Sequence, residues 1–247
     1  MVPMLRVLIA AALVLLLGGS APEAKRVALV IGNGSYANAG SLANPVNDAQ
    51  DVAQKLRDIG FTVVDGYDLD KRDMEGKIGA FADALDGAGA GLFYYAGHGI
   101  QVDGRNFILP VDAHLDVPAK LKLESIPIDD DIDLMQQQTG TAILILDACR
   151  NNPFARSLNA KAATRGVQAE GGLAEMNGAK GTFIAFSTAP GSVAMDGTGR
   201  NSPFAEALLR HLGDPGQSIN DLMIAVRRDV VDATKDFQTP MSWDSLT

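Results

Sequence analysis

The chain has 247 residues, of which 47% are hydrophobic and 21% are charged. This length suits one domain, or one domain with a small appendage, and the hydrophobic share is sufficient for a large core. The formal net charge of -9, without a basic stripe, argues against non-specific binding of nucleic acid.

The first 24 residues have the pattern of a secretory signal peptide. Arg6 precedes the apolar run Val7–Leu17, which is too short for a confident membrane span, and small residues follow it. We expect cleavage after Ala24 in preference to Ala21. The mature domain would then comprise residues 25–247 and would be exported, either periplasmic or secreted, with no membrane attachment. An uncleaved N-terminal anchor is the alternative.

The first strand of the mature chain, predicted over 25–31, ends in a glycine-rich segment. Gly32, Gly34 and Ala37 match the dinucleotide-binding fingerprint G-x-G-x-x-G/A. That fingerprint requires a helix that opens within the glycines, where its N-terminus meets the pyrophosphate. Here the next helix begins only at Pro45, a residue suited to a first helical position. We therefore interpret the glycines as a chance match.

The remaining elements alternate between apolar strands and amphipathic helices, which predicts an α/β fold. The sheet would be mostly parallel and six-stranded, with helices on both faces. An Asp-Gly turn at 103–104 predicts a β-hairpin beside it. Ser202 and Ser218 are predicted to cap the last two helices. In chain order we expect helix 45–59, strand 61–65, helix 73–85, strand 91–98, hairpin 99–109, helix 129–138, strand 141–149, strand 181–187, helix 203–212, a helix after 218, and an edge strand over 238–243.

Two of these strands end in residues that can carry out nucleophilic chemistry. Strand 141–149 ends at Cys149, the single cysteine of the chain, and strand 91–98 ends at His98 between two glycines. In a parallel sheet the carboxyl ends of both strands lie at one edge, where open α/β sheets hold their sites. A thiolate next to an imidazole is a reactive nucleophile. The alternative is that Cys149 is a small buried hydrophobic residue.

Several motifs resemble those of the caspase and metacaspase superfamily, whose histidine precedes the cysteine by about 50 residues. The resemblance extends from about Val27 to Trp243. It depends on the segments Asn44-Pro-Val-Asn-Asp48, Tyr95-Ala-Gly-His98-Gly99, Leu146-Asp-Ala-Cys149-Arg150, Ser187-Thr-Ala-Pro-Gly191 and Arg200-Asn-Ser-Pro-Phe204.

The resemblance implies a caspase-like three-layer sandwich with a large-subunit part at about 25–155, a linker at about 156–180 and a small-subunit part at about 181–247. It also implies a cysteine endopeptidase in which His98 and Cys149 form the dyad. The backbone N–H groups of Gly99 and Cys149 would stabilise the oxyanion. Asp147 stands where caspases have glutamine, and with Asp48 it matches the metacaspase acids that receive Arg or Lys. The alternative roles are strand-end capping for Asp147 and helix-dipole complementation for Asp48.

Further implications of the resemblance concern activation and cofactors. The linker offers Arg165-Gly166 and Lys161-Ala162 as bonds for autocleavage. Asp112, Asp129 and Asp130 resemble metacaspase calcium ligands, but Arg156 stands where a further acid is expected. We therefore predict no required metal or cofactor, with calcium dependence as the alternative.

The expected partners are protein or peptide substrates with basic residues. The principal rival function is a non-catalytic caspase-like module for binding or assembly, and a nucleotide-binding domain is a distant third. The sequence does not predict the oligomeric state.

Overall fold

The structure is a computed structural model. It describes residues 24–116, 120–149, 169–170, 173–174, 176, 178–189, 192 and 194–246, and for 149, 169 and 170 it describes the backbone alone. Almost all of the predicted signal peptide and both proposed autocleavage bonds lie outside these ranges. Within them, no helix is long and apolar enough to cross a membrane.

The elements follow the predicted alternation, with small shifts at their ends. They are β1 Arg26–Gly32, α1 Pro45–Asp58, β2 Thr62–Tyr67, α2 Lys71–Leu85, β3 Ala90–Val102, β4 Arg105–Ile108, α3 Leu121–Glu124, β5 Ile126–Pro127, α4 Ile128–Gln138, β6 Thr141–Cys149, β7 Ala169–Glu170, β8 Thr182–Phe186, α5 Pro203–His211, α6 Ile219–Thr234 and β9 Met241–Asp244. Helix α2 begins two residues earlier than predicted because Asp70 caps it, accepting a hydrogen bond from the Asp73 N–H.

The central sheet has the strand order β2-β1-β3-β6-β8-β9. All neighbours are parallel except β8 and β9, which are antiparallel at the edge. One face packs against α2 and α4, and the other packs against α1, α5 and α6. Burial of both faces explains why the strands are nearly continuous apolar runs. The predicted mostly parallel, six-stranded α/β sandwich is confirmed.

Beyond the central sheet, β3 continues into the predicted hairpin. Its segment 99–102 pairs with β4 around Asp103 and Gly104, whose φ angles are 51° and 75°. Two consecutive positive φ angles are the geometry that an Asp-Gly hairpin turn favours. His98 therefore lies inside one long strand, at the point where that strand passes from the sheet into the hairpin. The sequence suggested instead that the strand ends there.

The glycines of the apparent dinucleotide fingerprint lie where another part of the backbone approaches too closely for a side chain. A Cβ atom on Gly32 would lie 2.3 Å from the Pro45 carbonyl oxygen, and one on Gly34 would lie 2.7 Å from the Leu42 carbonyl oxygen. Helix α1 begins at Pro45, as predicted, so no helix N-terminus opens within these glycines. Segment 33–44, which leads from β1 to α1, lies instead beside His98.

Candidate active site

The backbones of His98 and Cys149 lie side by side at the carboxyl edge of the sheet. The register of β3 and β6 pairs Ala90 with Thr141 and continues without interruption to pair His98 with Cys149. A parallel register brings the two ends to the same edge, which is the arrangement expected from the sequence. The roles of both residues remain predictions, because the structure describes only the backbone of Cys149.

The imidazole of His98 is buried and oriented by a backbone carbonyl. Its Nε2 atom lies 2.9 Å from the carbonyl oxygen of Gly40. Because a carbonyl only accepts, this contact places the proton on Nε2 and leaves a lone pair on Nδ1. Nδ1 is buried and has no hydrogen-bond partner among the described residues. Burial lowers the pKa of His98, while the Gly40 carbonyl and the charge of Asp196 oppose that shift.

Two tyrosine hydroxyl groups hold the backbone of His98. Its N–H donates to Tyr36 Oη at 2.7 Å, and its carbonyl accepts from Tyr95 Oη at 2.9 Å and from the Leu109 N–H at 3.1 Å. The preceding residue must be small, because a Cβ atom on Gly97 would lie 2.6 Å from each hydroxyl oxygen. The Tyr-Ala-Gly-His sequence therefore provides both the hydroxyl group and the space it occupies.

Asp48 and Asp147, the two acids predicted to bind substrate, lie close together beneath the same edge. Asp48 is in the first turn of α1 and Asp147 is on β6, and both are buried. Ser202 bridges them: its Oγ donates to Asp147 Oδ2 at 2.6 Å, and its N–H donates to Asp48 Oδ1 at 3.0 Å. Each acid thus interacts with the start of α5, and Asp48 also lies in the first turn of α1, as the helix-dipole alternative requires.

The two carboxylates form the centre of a buried, electronegative region. Burial raises the pKa of both Asp48 and Asp147, and the charge of Asp147 raises the pKa of Asp48 further. The carboxylate of Asp196 acts on both in the same direction. Beside them, the Tyr94 hydroxyl is buried without a hydrogen-bond partner among the described residues. A cationic side chain entering this region would relieve the repulsion.

Segment 196–202 is bound to segment 43–51 by polar contacts that the sequence did not reveal. The Asp196 carboxylate accepts from the Ala43 N–H at 2.7 Å, and the Arg200 guanidinium makes two hydrogen bonds of 2.9 Å to Asp51. Further contacts join Asp196 to Asn44, Asn47 to Arg200, and Asn201 to both Asp48 and Asp51. The Asp48–Asp147 pair and the Gly40 segment are therefore part of one hydrogen-bonded assembly.

Comparison with known proteins decides the family. The caspase domain model matches residues 25–247, the whole of the predicted mature chain. The chain belongs to the caspase domain family. This caspase domain is also similar to mucosa-associated lymphoid tissue lymphoma translocation protein 1 of Homo sapiens (37% identity) and to its Mus musculus homolog (38%). Each alignment covers 132 residues, or 52% of this chain, and only 16% and 15% of the relatives' lengths.

The acids considered as calcium ligands have protein partners in this caspase domain. Arg105 forms ion pairs with Asp129 and Asp130 at 3.6 and 3.3 Å. Asp112 accepts a hydrogen bond from the Lys71 N–H at 3.1 Å, at the start of α2. The described residues contain no group of three or more potential metal-ligating side chains.

Proposed function

We propose that this caspase domain is a cysteine endopeptidase that cleaves protein or peptide chains after Arg or Lys. The observation that carries the proposal is the β3–β6 register, which pairs His98 with Cys149 two residues beyond Asp147, the acid that Ser202 joins to Asp48. Family membership supports the peptidase chemistry, and the acid pair supports the preference for a basic residue.

In the proposed reaction, Nδ1 of His98 accepts the proton of the Cys149 thiol, and the resulting thiolate attacks the carbonyl carbon of the scissile bond. The oxyanion that forms accepts hydrogen bonds from the N–H groups of Gly99 and Cys149, each worth ~3 kcal/mol where such donors were removed in other enzymes. His98 then protonates the leaving amine, which departs and leaves a thioester on Cys149. The neutral imidazole removes a proton from water, and the resulting attack releases the acid and regenerates the thiol.

The orientation of His98 suits this sequence of proton transfers. Nε2 is occupied by the Gly40 carbonyl, so Nδ1 is the nitrogen available to exchange a proton. Because burial lowers the pKa of the imidazole, it is neutral at physiological pH when unpaired and can act as a base toward water.

The proposed specificity follows from the charge of the pocket. Asp48 and Asp147 are held by Ser202 and lack a cationic partner among the described residues. The guanidinium of Arg200 is engaged by Asp51 at the surface. A substrate Arg or Lys would supply the missing charge, whereas a substrate Asp would add to the repulsion.

Three further elements belong to the proposal. Export through the 24-residue signal peptide would place the enzyme in a periplasm or outside the cell. Autocleavage after Arg165 or Lys161 would activate it, since both bonds have the basic residue that the pocket selects. No metal or cofactor takes part in the proposed chemistry.

The test is hydrolysis of reporter peptides that differ only in an Arg, Lys or Asp before the scissile bond, with C149A as control. We expect cleavage of the Arg and Lys peptides, no cleavage of the Asp peptide, and none by C149A. Preferred cleavage after Asp would refute the specificity. An intact protein that cleaves none of them and does not react with a thiol-directed activity probe would be a binding module.

A further inference from the structure

We propose that Tyr36 is a positioning residue that holds the backbone and the imidazole ring of His98 in the geometry the dyad requires. The proposal rests on the proposed peptidase function for its kinetic readout. Its structural content, the alignment of His98 with Cys149, can also be tested without a substrate.

Tyr36 contacts His98 in two independent ways. The hydroxyl oxygen accepts the His98 N–H at 2.7 Å, and the aromatic ring lies against the imidazole with centroids 4.4 Å apart and planes tilted by 45°. The first contact fixes the position of the main chain, and the second restricts rotation of the side chain. Tyr36 is itself 6% exposed, so its own conformation is restricted by packing.

The same segment supplies a third contact, because Gly40 lies four residues beyond Tyr36 and its carbonyl oxygen binds Nε2. Segment 33–44 thus holds the backbone N–H, one ring face and one ring nitrogen of His98. Nδ1 is left as the ring atom without a described partner. Orientation matters quantitatively, because a misplacement of about 1 Å can cost about 100-fold in rate.

Tyr95 provides a matched control, since its hydroxyl belongs to the same buried pair and lies 3.1 Å from Tyr36 Oη. Tyr95 Oη donates to the His98 carbonyl, but that carbonyl also accepts the Leu109 N–H. Removing the Tyr95 hydroxyl therefore leaves the carbonyl with a partner, the Leu109 N–H. A general loss of stability would affect Y95F as well as the Tyr36 variants, whereas a loss of positioning would affect only Y36F and Y36L.

The experiment uses the single cysteine of the chain. Wild type, Y36F, Y36L, Y95F and H98A are alkylated with iodoacetamide between pH 5 and 9, and kcat and KM are measured on an Arg peptide. Because iodoacetamide reacts with the thiolate, the alkylation rate measures the ionised fraction of Cys149. The titratable groups near the imidazole are Tyr36, Tyr95 and Asp196, and each tyrosine variant changes only one of them.

We expect Y36F to lower kcat roughly tenfold with KM changed less than about twofold, and Y36L to lower it roughly 100-fold. In both, the pH profile of alkylation should move toward that of H98A, while Y95F stays close to wild type. Equal effects in Y36F and Y95F, or an unchanged profile in Y36F, would overturn the proposal. A further outcome is that the wild type cleaves no peptide while replacement of Tyr36 or His98 still shifts the pH profile of alkylation. In that case the positioning role stands and the peptidase function fails.

A measurement on the unsubstituted protein covers the case in which Y36F does not fold. The chain has 3 histidines, so their imidazole NMR signals can be assigned individually. The proposal expects His98 to carry its proton on Nε2 and to show an upfield ring-current shift from Tyr36. An imidazole signal without that shift, or with the proton on Nδ1, would contradict it.

Discussion

The two halves of the candidate site lie at the same sheet edge but are held by opposite kinds of interaction. The groups that hydrogen-bond to the backbone and one ring nitrogen of His98 are neutral, and they include two tyrosine hydroxyls and the Gly40 carbonyl. Asp48 and Asp147 are buried close to each other, where burial raises the pKa of both and the charge of Asp147 raises that of Asp48 further. The hydrogen bonds that orient His98 are already formed among the described residues, whereas the acidic half has no cationic partner among them, and the proposed substrate would supply one.

The comparison implies that substitutions in the two halves affect stability and activity differently. Replacing Tyr36 should reduce both stability and activity, because its hydroxyl accepts the His98 N–H and its ring contacts the imidazole. Neutralising an acid in the pocket should reduce activity while relieving repulsion in the fold. The predictions below separate these outcomes.

The largest effect is expected from the dyad itself. C149A and H98A should each lower kcat/KM on an Arg peptide by at least about 1,000-fold, because the nucleophile and its proton carrier act as a unit. His211 is the matched control, since its Nε2 is bound to Asp229 at 2.8 Å on the far side of α5. H211A should keep near wild-type kinetics. Comparable losses in H98A and H211A would mean that His98 has only a structural role.

Neutralising one pocket acid comes next. D147N should lower kcat/KM for Arg and Lys peptides by roughly 100-fold through loss of charge, because Asn can still accept the Ser202 hydroxyl. The free energy of unfolding should stay level or rise at pH 8. D51N removes a carboxylate from the same assembly, on the surface, and should change kcat/KM only slightly. Equal losses in D147N and D51N would contradict a specific pocket.

Replacing the bridging serine should have a moderate effect on stability. S202A removes the cap that receives the Ala205 N–H and the donor to Asp147, so the free energy of unfolding should fall by about 1–2 kcal/mol. Ser218 caps α6 in the same way, away from the acids. S218A should cost less in stability and leave cleavage unchanged, and the opposite order would contradict the bridging role.

The pH dependence of stability gives a smaller effect. Because the pKa values of Asp48 and Asp147 are raised in the fold, the unfolded chain releases these protons at about pH 4 and the native chain retains them to higher pH. The contribution of the pair is therefore greatest below about pH 4 and is lost as the pH rises through the native pKa values, about 6 for Asp147 and about 8 for Asp48. The free energy of unfolding, measured with urea, should fall less steeply between pH 4 and pH 8 for D147N than for wild type. Identical slopes would show that the pair is not coupled to folding.

The smallest effect is expected from calcium. Asp129 and Asp130 form ion pairs with Arg105, and Asp112 accepts the Lys71 N–H at the start of α2. Adding millimolar calcium or a chelator should change kcat/KM by less than about twofold. A strict requirement for calcium would mean that these acids exchange their protein partners for the ion.

Much of the fold could be predicted because its signals are local. The apolar strands, the Asp103-Gly104 hairpin and the serine caps of α5 and α6 each follow from neighbouring residue types. The proximity of His98 and Cys149 followed from one topological rule, that parallel strands end at the same edge. The family resemblance added the grouping of Asp48 with Asp147.

The residues that orient His98 and join the two acids could not be predicted in this way. The Gly40 carbonyl has no side-chain signal, since any residue presents the same oxygen. Tyr36 lies in a segment whose glycines matched a nucleotide motif, and its contact with His98 exists only after the segment folds over β3. Ser202 was predicted as a helix cap, which it is, but its second partner comes from a strand distant in sequence.

The most direct test of the central claim is affinity labelling with two chloromethyl ketone peptides that differ only in a terminal Arg or Asp. The account predicts that the Arg reagent modifies Cys149 in a one-to-one ratio, that the Asp reagent reacts far more slowly, and that H98A and D147N both slow the Arg reaction. Mass spectrometry locates the adduct without ambiguity because the chain has 1 cysteine. Equal reaction with both reagents, or none with either, would contradict a dyad above an acidic pocket.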